Sequence, residues 1–208
     1  MILFADRGCP FAHRVLALLA HLGHPPELHE SIVGEKPAGL AQYSASSMIP
    51  LLVHDDLVLT ESRVILEHLT DHYAYADAYP AELGARSRHR HAMAVVDTFF
   101  VPLLFGRMDA EVDDLQLEDG LRALEEATAS GIPQPHLLAI HVAPIWLRFR
   151  LWQPAHIVTR AIEARTALCR WLNTAVELDC LSRTAPDPVT HQEDVARARQ
   201  AGLLPGLK

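Results

Sequence analysis

Cys9 is followed directly by Pro10, and the pair opens an apolar periodic segment, "PFAHRVLALLAHLG", just after the short apolar run "MILFAD". If a helix begins at Pro10, the proline takes the first helical position, where its missing N–H costs nothing. Cys9 is then the N-cap, with its sulfur beside unpaired backbone N–H groups and the positive end of the helix dipole. Both features favour a thiolate, and cysteines in such places fall from a pKa of about 8.5 to roughly 3.5–7.5. The alternative, a small buried hydrophobe, is the usual state of an isolated cysteine. The strand–Gly–Cys–Pro–helix context favours the reactive reading at Cys9. The buried reading stands for Cys169 in "TALCRWL" and Cys180 in "ELDCLSR". Position 12 is Ala12, so no Cys-x-x-Cys disulfide can form. A lone activated thiol needs an external thiol to resolve it, or serves only to bind one, which excludes an ordinary dithiol oxidoreductase and points to a small thiol cosubstrate.

Two further stretches carry groups suited to a peptide-like ligand. In "SMIPLLV", Pro50 opens a strand. It is either a trans proline, the commoner case, or a cis proline that turns the chain and exposes the N–H and C=O of Ile49 for pairing with an extended ligand. In "LTESRVI", Thr60, Glu61 or Ser62 begins a helix. The Ser62 hydroxyl and nearby N–H groups suit a ligand carboxylate and Glu61 suits an ammonium, although simple helix capping accounts equally well for these residues.

The elements that must position these groups change in kind along the chain. "MILFA" reads as a buried strand. A helix follows from Pro10, with Phe11, Val15, Leu18, Leu19 and Leu22 on one face and Gly23 as the stop. "ELHESIV" is a weaker strand, "KPAGLAQYSA" a short helix, and "IPLLVH"–Asp55-Asp56–"LVLT" a hairpin. "ESRVILEHLTDHY" is an amphipathic helix with Val64, Ile65, His68 and Leu69 inward. The order β-α-β-α-β-β-α predicts a small mixed sheet covered by helices. From about Leu83 the periodicity is helical throughout, with helices expected at 83–107, 112–129, 136–150, 154–180 (with a break) and 189–201. Pro102 should kink or end the first of them. An all-helical half after an α/β half implies two domains, divided at about 76–82.

The chain has 208 residues, half of them hydrophobic, with 18 basic against 26 acidic residues and a net charge of −8. That is a folded protein, and the balance argues against a nucleic-acid partner, which needs a basic footprint. The acidic run Asp109, Glu111, Asp113, Asp114, Glu118, Asp119, Glu125 and Glu126 reads as a solvated helical face. No signal segment or membrane span is expected, and three sparse cysteines fit a reducing cytoplasm. Thirteen histidines raise the question of a metal. His68 and His72 are four apart and His89 and His91 flank Arg90, but no third ligand accompanies either pair in the chain, so no metal is expected and these histidines are placed on the surface. Phe99, Phe100, Phe105, Trp146, Phe149 and Trp152 sit at helical spacings and are expected mostly in the core, with a few lining an apolar pocket.

Taken together, "CPFAHR", Ile49-Pro50 and Glu61-Ser62, in the order β-α-β-α-β-β-α, resemble the glutathione transferases. "CPFAHR" is most similar to the active-site segment of the omega class. The resemblance covers about residues 1–75. It implies an α/β thioredoxin-like N-terminal domain, 1–76, that binds glutathione, followed by an all-α domain, 83–208, that forms the pocket for a second substrate. It implies Cys9 as the catalytic thiol, Phe11 lining the glutathione site and Lys36 facing the glycyl carboxylate. The Ile49 backbone, at Pro50, would pair with the cysteinyl moiety, and Glu61 and Ser62 would hold the γ-glutamyl end. The implied activity is glutathione-dependent thiol transfer or reduction through a mixed disulfide, with glutathione as cosubstrate. Conjugation of glutathione to electrophiles is the alternative enzyme. A cytoplasmic homodimer is also implied, through the helix after Glu61 and the first long helix of the second domain. The second half matches less well: where many members of the family carry a Ser/Thr-x-x-Asp capping box, this chain has His136 and Ala139, although "VAPIWLRF" resembles the stretch that follows the box. Arg63 after Glu61-Ser62 resembles the stringent-starvation proteins, which share the fold and serve as transcription regulators without catalysis.

Overall fold

In the computed structural model of the chain, residues 1–6, 8–106, 113–129 and 131–200 are described. Asp109 and Glu111, residue 107 of the first expected long helix, residue 112 of the second, and the stretch from 201 onward therefore lie outside the described residues. The described chain divides into two compact units, one built from 1–75 with 179–200 and the other from 76–178.

In the first unit, β1 (Ile2–Asp6), β2 (Glu27–Ser31), β3 (Leu51–His54) and β4 (Leu57–Leu59) form one sheet in the order β2-β1-β3-β4. The crossover through α1 (Pro10–Leu22) makes β1 and β2 parallel, as a helical connection favours, and the two-residue turn makes β3 and β4 antiparallel. Asp55 takes φ +54° in that turn, the left-handed role that glycine usually fills. The second expected helix is reduced to one 3₁₀ turn, Leu40–Gln42. Phe4, Leu40 and Leu51 form a core on one face of the sheet, and the period-two alternation turns Leu3, Ala5 and Leu52 to the other. α1 packs against α2 (Ser62–His72). Gly23 ends α1 in the left-handed conformation, φ +76°. On α2 the buried side is Ser62, Ile65, Leu66 and Leu69, at spacings of three and four. Val64, expected inward, is 48% exposed, because it lies about 100° around the helix from Ile65.

The last helices, α9 (Asp179–Ser182) and α10 (Pro188–Gln200), belong to the first unit, whereas the sequence reading placed 83–208 together. What ties them there is long-range: the His13 ring meets the Leu181 carbonyl at 3.0 Å and Arg183 donates to the Ala20 carbonyl at 2.6 Å. Helical periodicity alone carries no information about such partners.

The second unit is helical, as expected. It contains α3 (Leu83–Val95), α4 (Val101–Leu104), α5 (Asp114–Thr128), α6 (Leu137–Trp152), α7 (Ile157–Glu163) and α8 (Thr166–Val176). Between α3 and α4, Val96–Phe100 widens into a π-helical stretch. Pro102 follows it in the first turn of α4, where a missing N–H is tolerated, so the expected break takes this form. α6 is buried on nearly every side and forms the centre, with α3 and α8 against it. Along α5, Glu118, Asp119, Glu125 and Glu126 are exposed, the solvated acidic face that was expected.

Candidate active site

The sheet register brings the residues singled out in the first unit to one end of the sheet. β1 runs toward Asp6 and the Cys9 turn. Phe4 pairs with Leu51, so Pro50, one residue earlier, lies level with the end of β1. Leu59 pairs with Leu52, so the chain leaves β4 toward Glu61 and Ser62 at that same end. β2 runs parallel to β1 and leads from Ser31 into the loop that carries Lys36.

Cys9 is the N-cap of α1, with extended backbone (φ −66°, ψ 118°) and Pro10 in the first turn, as the sequence implied. Its carbonyl accepts the first helical bond from His13 N at 3.1 Å, and its own N–H donates to the Asp6 carbonyl at 3.0 Å. The thiol is half-buried. One detail differs from expectation: the sulfur does not itself cap the first-turn amides. It sits at the positive end of the helix dipole.

Asp6, which interrupts the apolar run, organises two loops. Its Oδ1 accepts from Gly8 N at 2.6 Å and its Oδ2 from Gly34 N at 2.7 Å, fixing the turns before Cys9 and before Lys36. Gly8 is packed so tightly that a Cβ there would lie 2.4 Å from Val33 Cγ2 and 2.9 Å from His191 Cε1. An acid at the end of an otherwise apolar strand was the available sequence signal for Asp6. His191 gave none.

The Ile49–Pro50 bond is cis. Among the described residues, neither the N–H nor the C=O of Ile49 takes a hydrogen bond, so both can serve an extended ligand. Glu61 precedes α2 with φ +65°, exposed and without an ion pair among the described residues. Ser62 is buried at the helix start, and Arg14 Nη1 donates to its Oγ at 3.2 Å. Because Arg14 fills an acceptor position, the Ser62 hydroxyl hydrogen remains able to reach an anionic oxygen. Arg14 is itself buried, with its guanidinium 5.2 Å from the centre of the half-buried Phe11 ring. It stands in "CPFAHR" but was given no role, since its link to α2 spans 48 positions. Lys36 is exposed on its loop. These donors, acceptors and charges suit a small peptide with a carboxylate and an ammonium at one end and a second carboxylate at the other.

In the second unit, Phe100, Trp146, Phe149 and Trp152 are core residues, whereas Phe99 lines an open groove of about 590 Å³ with Val95, Thr98 and Gln116. His136 does not cap its own helix; its Nδ1 pairs with the Asp77 carbonyl. His89, expected on the surface, is buried, because it shares the inner side of α3 with Ala92 and Met93. Burial, the neighbouring His136 and Arg88 push its pKa down to about 4, against the Ala127 carbonyl, which raises it.

Residues 3–78 match the family described as "Glutathione S-transferase, N-terminal domain". Among solved structures, the chain is similar to glutathione transferase Omega 1C from Trametes versicolor, with TM-score 0.74, 20% identity and 97% of each chain covered. It is also similar to a Tau class glutathione S-transferase from mango, Mangifera indica, with TM-score 0.76 and 19% identity over 94% of this chain and 97% of the other. The fold is thus the glutathione-transferase fold, a thioredoxin-like domain with a helical region. Among curated proteins, a stringent starvation protein A homolog from Coxiella burnetii (strain RSA 493 / Nine Mile phase I) is 32% identical over 90 residues, 43% of each chain. The matches to the curated relatives span about half of their length or less.

Proposed function

We propose that this chain is a glutathione-dependent thiol transferase or reductase whose working group is the Cys9 thiolate. The thiolate attacks the glutathione sulfur of a mixed disulfide, RSSG; the S–S bond breaks and RS⁻ leaves, taking up a proton. A second glutathione, as thiolate, attacks the resulting Cys9–glutathione disulfide, regenerates Cys9 and leaves as oxidised glutathione. Phe11, Lys36, Ile49 at Pro50, Glu61 and Ser62 hold glutathione in this scheme, and Arg14 holds Ser62. The observation that carries the reading is a helix-start cysteine at the same sheet end as the cis Ile49–Pro50 bond and the Glu61–Ser62 start of α2. A cytoplasmic homodimer through α2 and α3 and a small second substrate belong to the same reading. Among the described residues, no helix is long and apolar enough to cross a membrane.

The test is reduction of a glutathione mixed disulfide by the purified chain and by Cys9→Ser. The variant should fall to the uncatalysed rate, and full retention would end the mechanism. If Cys9→Ser instead keeps conjugation of glutathione to an aryl halide, the conjugating transferase is the better reading. The name of the curated relatives favours a second class, a non-catalytic starvation-type regulator. Failure to bind immobilised glutathione, with co-purification of a large partner protein, would move the assignment there.

A further inference from the structure

His68 and His72 stand one turn apart on α2, and the chain around them offers no third ligand. The fold supplies it. α2 starts at the Cys9 end of the sheet and runs back along it, so its last turn arrives at the opposite end. β3 finishes there with His54, one residue beyond the Ile2–Val53 pair. His54 Nδ1 lies 2.9 Å from His68 Nε2. The His54 ring centre is 5.2 Å from that of His68 and 4.4 Å from that of His72, and His68 and His72 are 5.9 Å apart. His54 is buried, His68 half-buried and His72 exposed.

We propose that His54, His68 and His72 form a binding site for one borderline divalent metal ion, of the zinc, nickel and copper class, distinct from the Cys9 site. Imidazole nitrogen suits these ions, and two histidines four apart on a helix present both rings to one point. Three imidazoles around a tetrahedral ion, with bonds of about 2.0–2.1 Å, put their nitrogens roughly 3.3–3.4 Å apart. The His54 and His68 nitrogens are closer than that, sharing a proton; exchanging the proton for a metal opens the gap by about 0.4 Å, a small ring rotation. Among the described residues no three ligands already converge on a metal position. His72 is the one that must turn, and it is exposed on the final turn of α2. A neutral imidazole has the lone pair that a metal needs. Water completes the coordination, and the ion pins the end of α2 to the end of β3.

The experiment is calorimetric titration of the full chain with Zn²⁺ at neutral pH, repeated on His72→Ala and His68→Gln. The expected result is one saturable site whose affinity falls in each variant by more than the ~10–100-fold that loss of a mere outer partner costs. Binding should also weaken at acid pH, because protons compete with the ion for the ligand nitrogens. His72 is exposed at a helix end, so its replacement leaves the fold intact. No saturable binding in the native chain would overturn the proposal. So would equal binding in native and His72→Ala protein, or binding abolished by Cys9→Ser, which would place the ion on the thiol.

Discussion

Gly8→Ala tests how tightly the Cys9 turn is held. Gly8 lies outside the positive-φ region, so alanine brings no backbone strain there and, by restricting the unfolded chain, should stabilise by about 0.4–1 kcal/mol. Packing opposes this. The added methyl would meet Val33 Cγ2 at 2.4 Å and His191 Cε1 at 2.9 Å, against ordinary contacts of about 3.5–4.0 Å. Both neighbours are buried, so neither can swing into solvent. Relief requires the Gly8 turn to move by about 1 Å from both the Val33 loop and α10, an overpacking of the kind that costs about 1–3 kcal/mol. The net change is therefore destabilising, and it falls on the turn that sets the Cys9 sulfur. Trp146, Trp152 and Trp171 all lie in the second unit, so tryptophan fluorescence is the wrong probe. Hydrogen exchange of the β1 and α1 amides reads the first unit directly, and the rate at which Cys9 reacts with a thiol reagent reads the turn. Val33→Ala removes the closest atom, so in a double-mutant cycle it should recover at least about 0.5 kcal/mol of the loss. A Gly8→Ala protein with native exchange and native thiol reactivity would refute the reasoning.

The remaining expectations concern the second unit. His89 has a pKa of about 4 when folded against 6.5 in the unfolded chain, so below 6.5 the unfolded state holds more protons. Stability should therefore be lost as pH falls from about 6.5 to 4, by at most about 3 kcal/mol from this residue. Urea unfolding between pH 7.5 and 4.5 should show a shallower decline for His89→Gln than for the native chain; identical profiles would contradict the assignment. Asp97 Oδ1 meets Nε2 of the fully buried His141 at 2.9 Å. Asp97→Ala removes that partner inside the core and should cost about 1–3 kcal/mol in urea unfolding, whereas a loss under ~0.5 kcal/mol would mean that water replaces it.

Where each residue's state depended on its neighbours in the chain, the sequence was readable. Cys9 and Pro10 define a helix start, Gly23 a left-handed stop, and the period of α1 its buried Val15, Leu18 and Leu19. The change from mixed to purely helical texture marked where the helical part of the chain begins. Misreadings arose where a face of a helix was assigned without its partner. Val64 and His89 sit at positions whose inward or outward direction depends on which neighbour covers the helix. The role of Arg14 was missed for the same reason, because its acceptor, Ser62, is on another helix.

Backbone propensity and period-two or period-3.6 patterning act within a few residues, so the chain order alone specified the elements, the cysteine's place at a helix start and the absence of a second thiol three positions on. The tertiary structure decided what those elements hold in common. Strand register put Cys9, Pro50 and Ser62 at one end of the sheet and His54, His68 and His72 at the other. It also packed α10 onto Gly8. Such pairings arise from burial and hydrogen bonding between groups tens to hundreds of positions apart, and no local pattern encodes them.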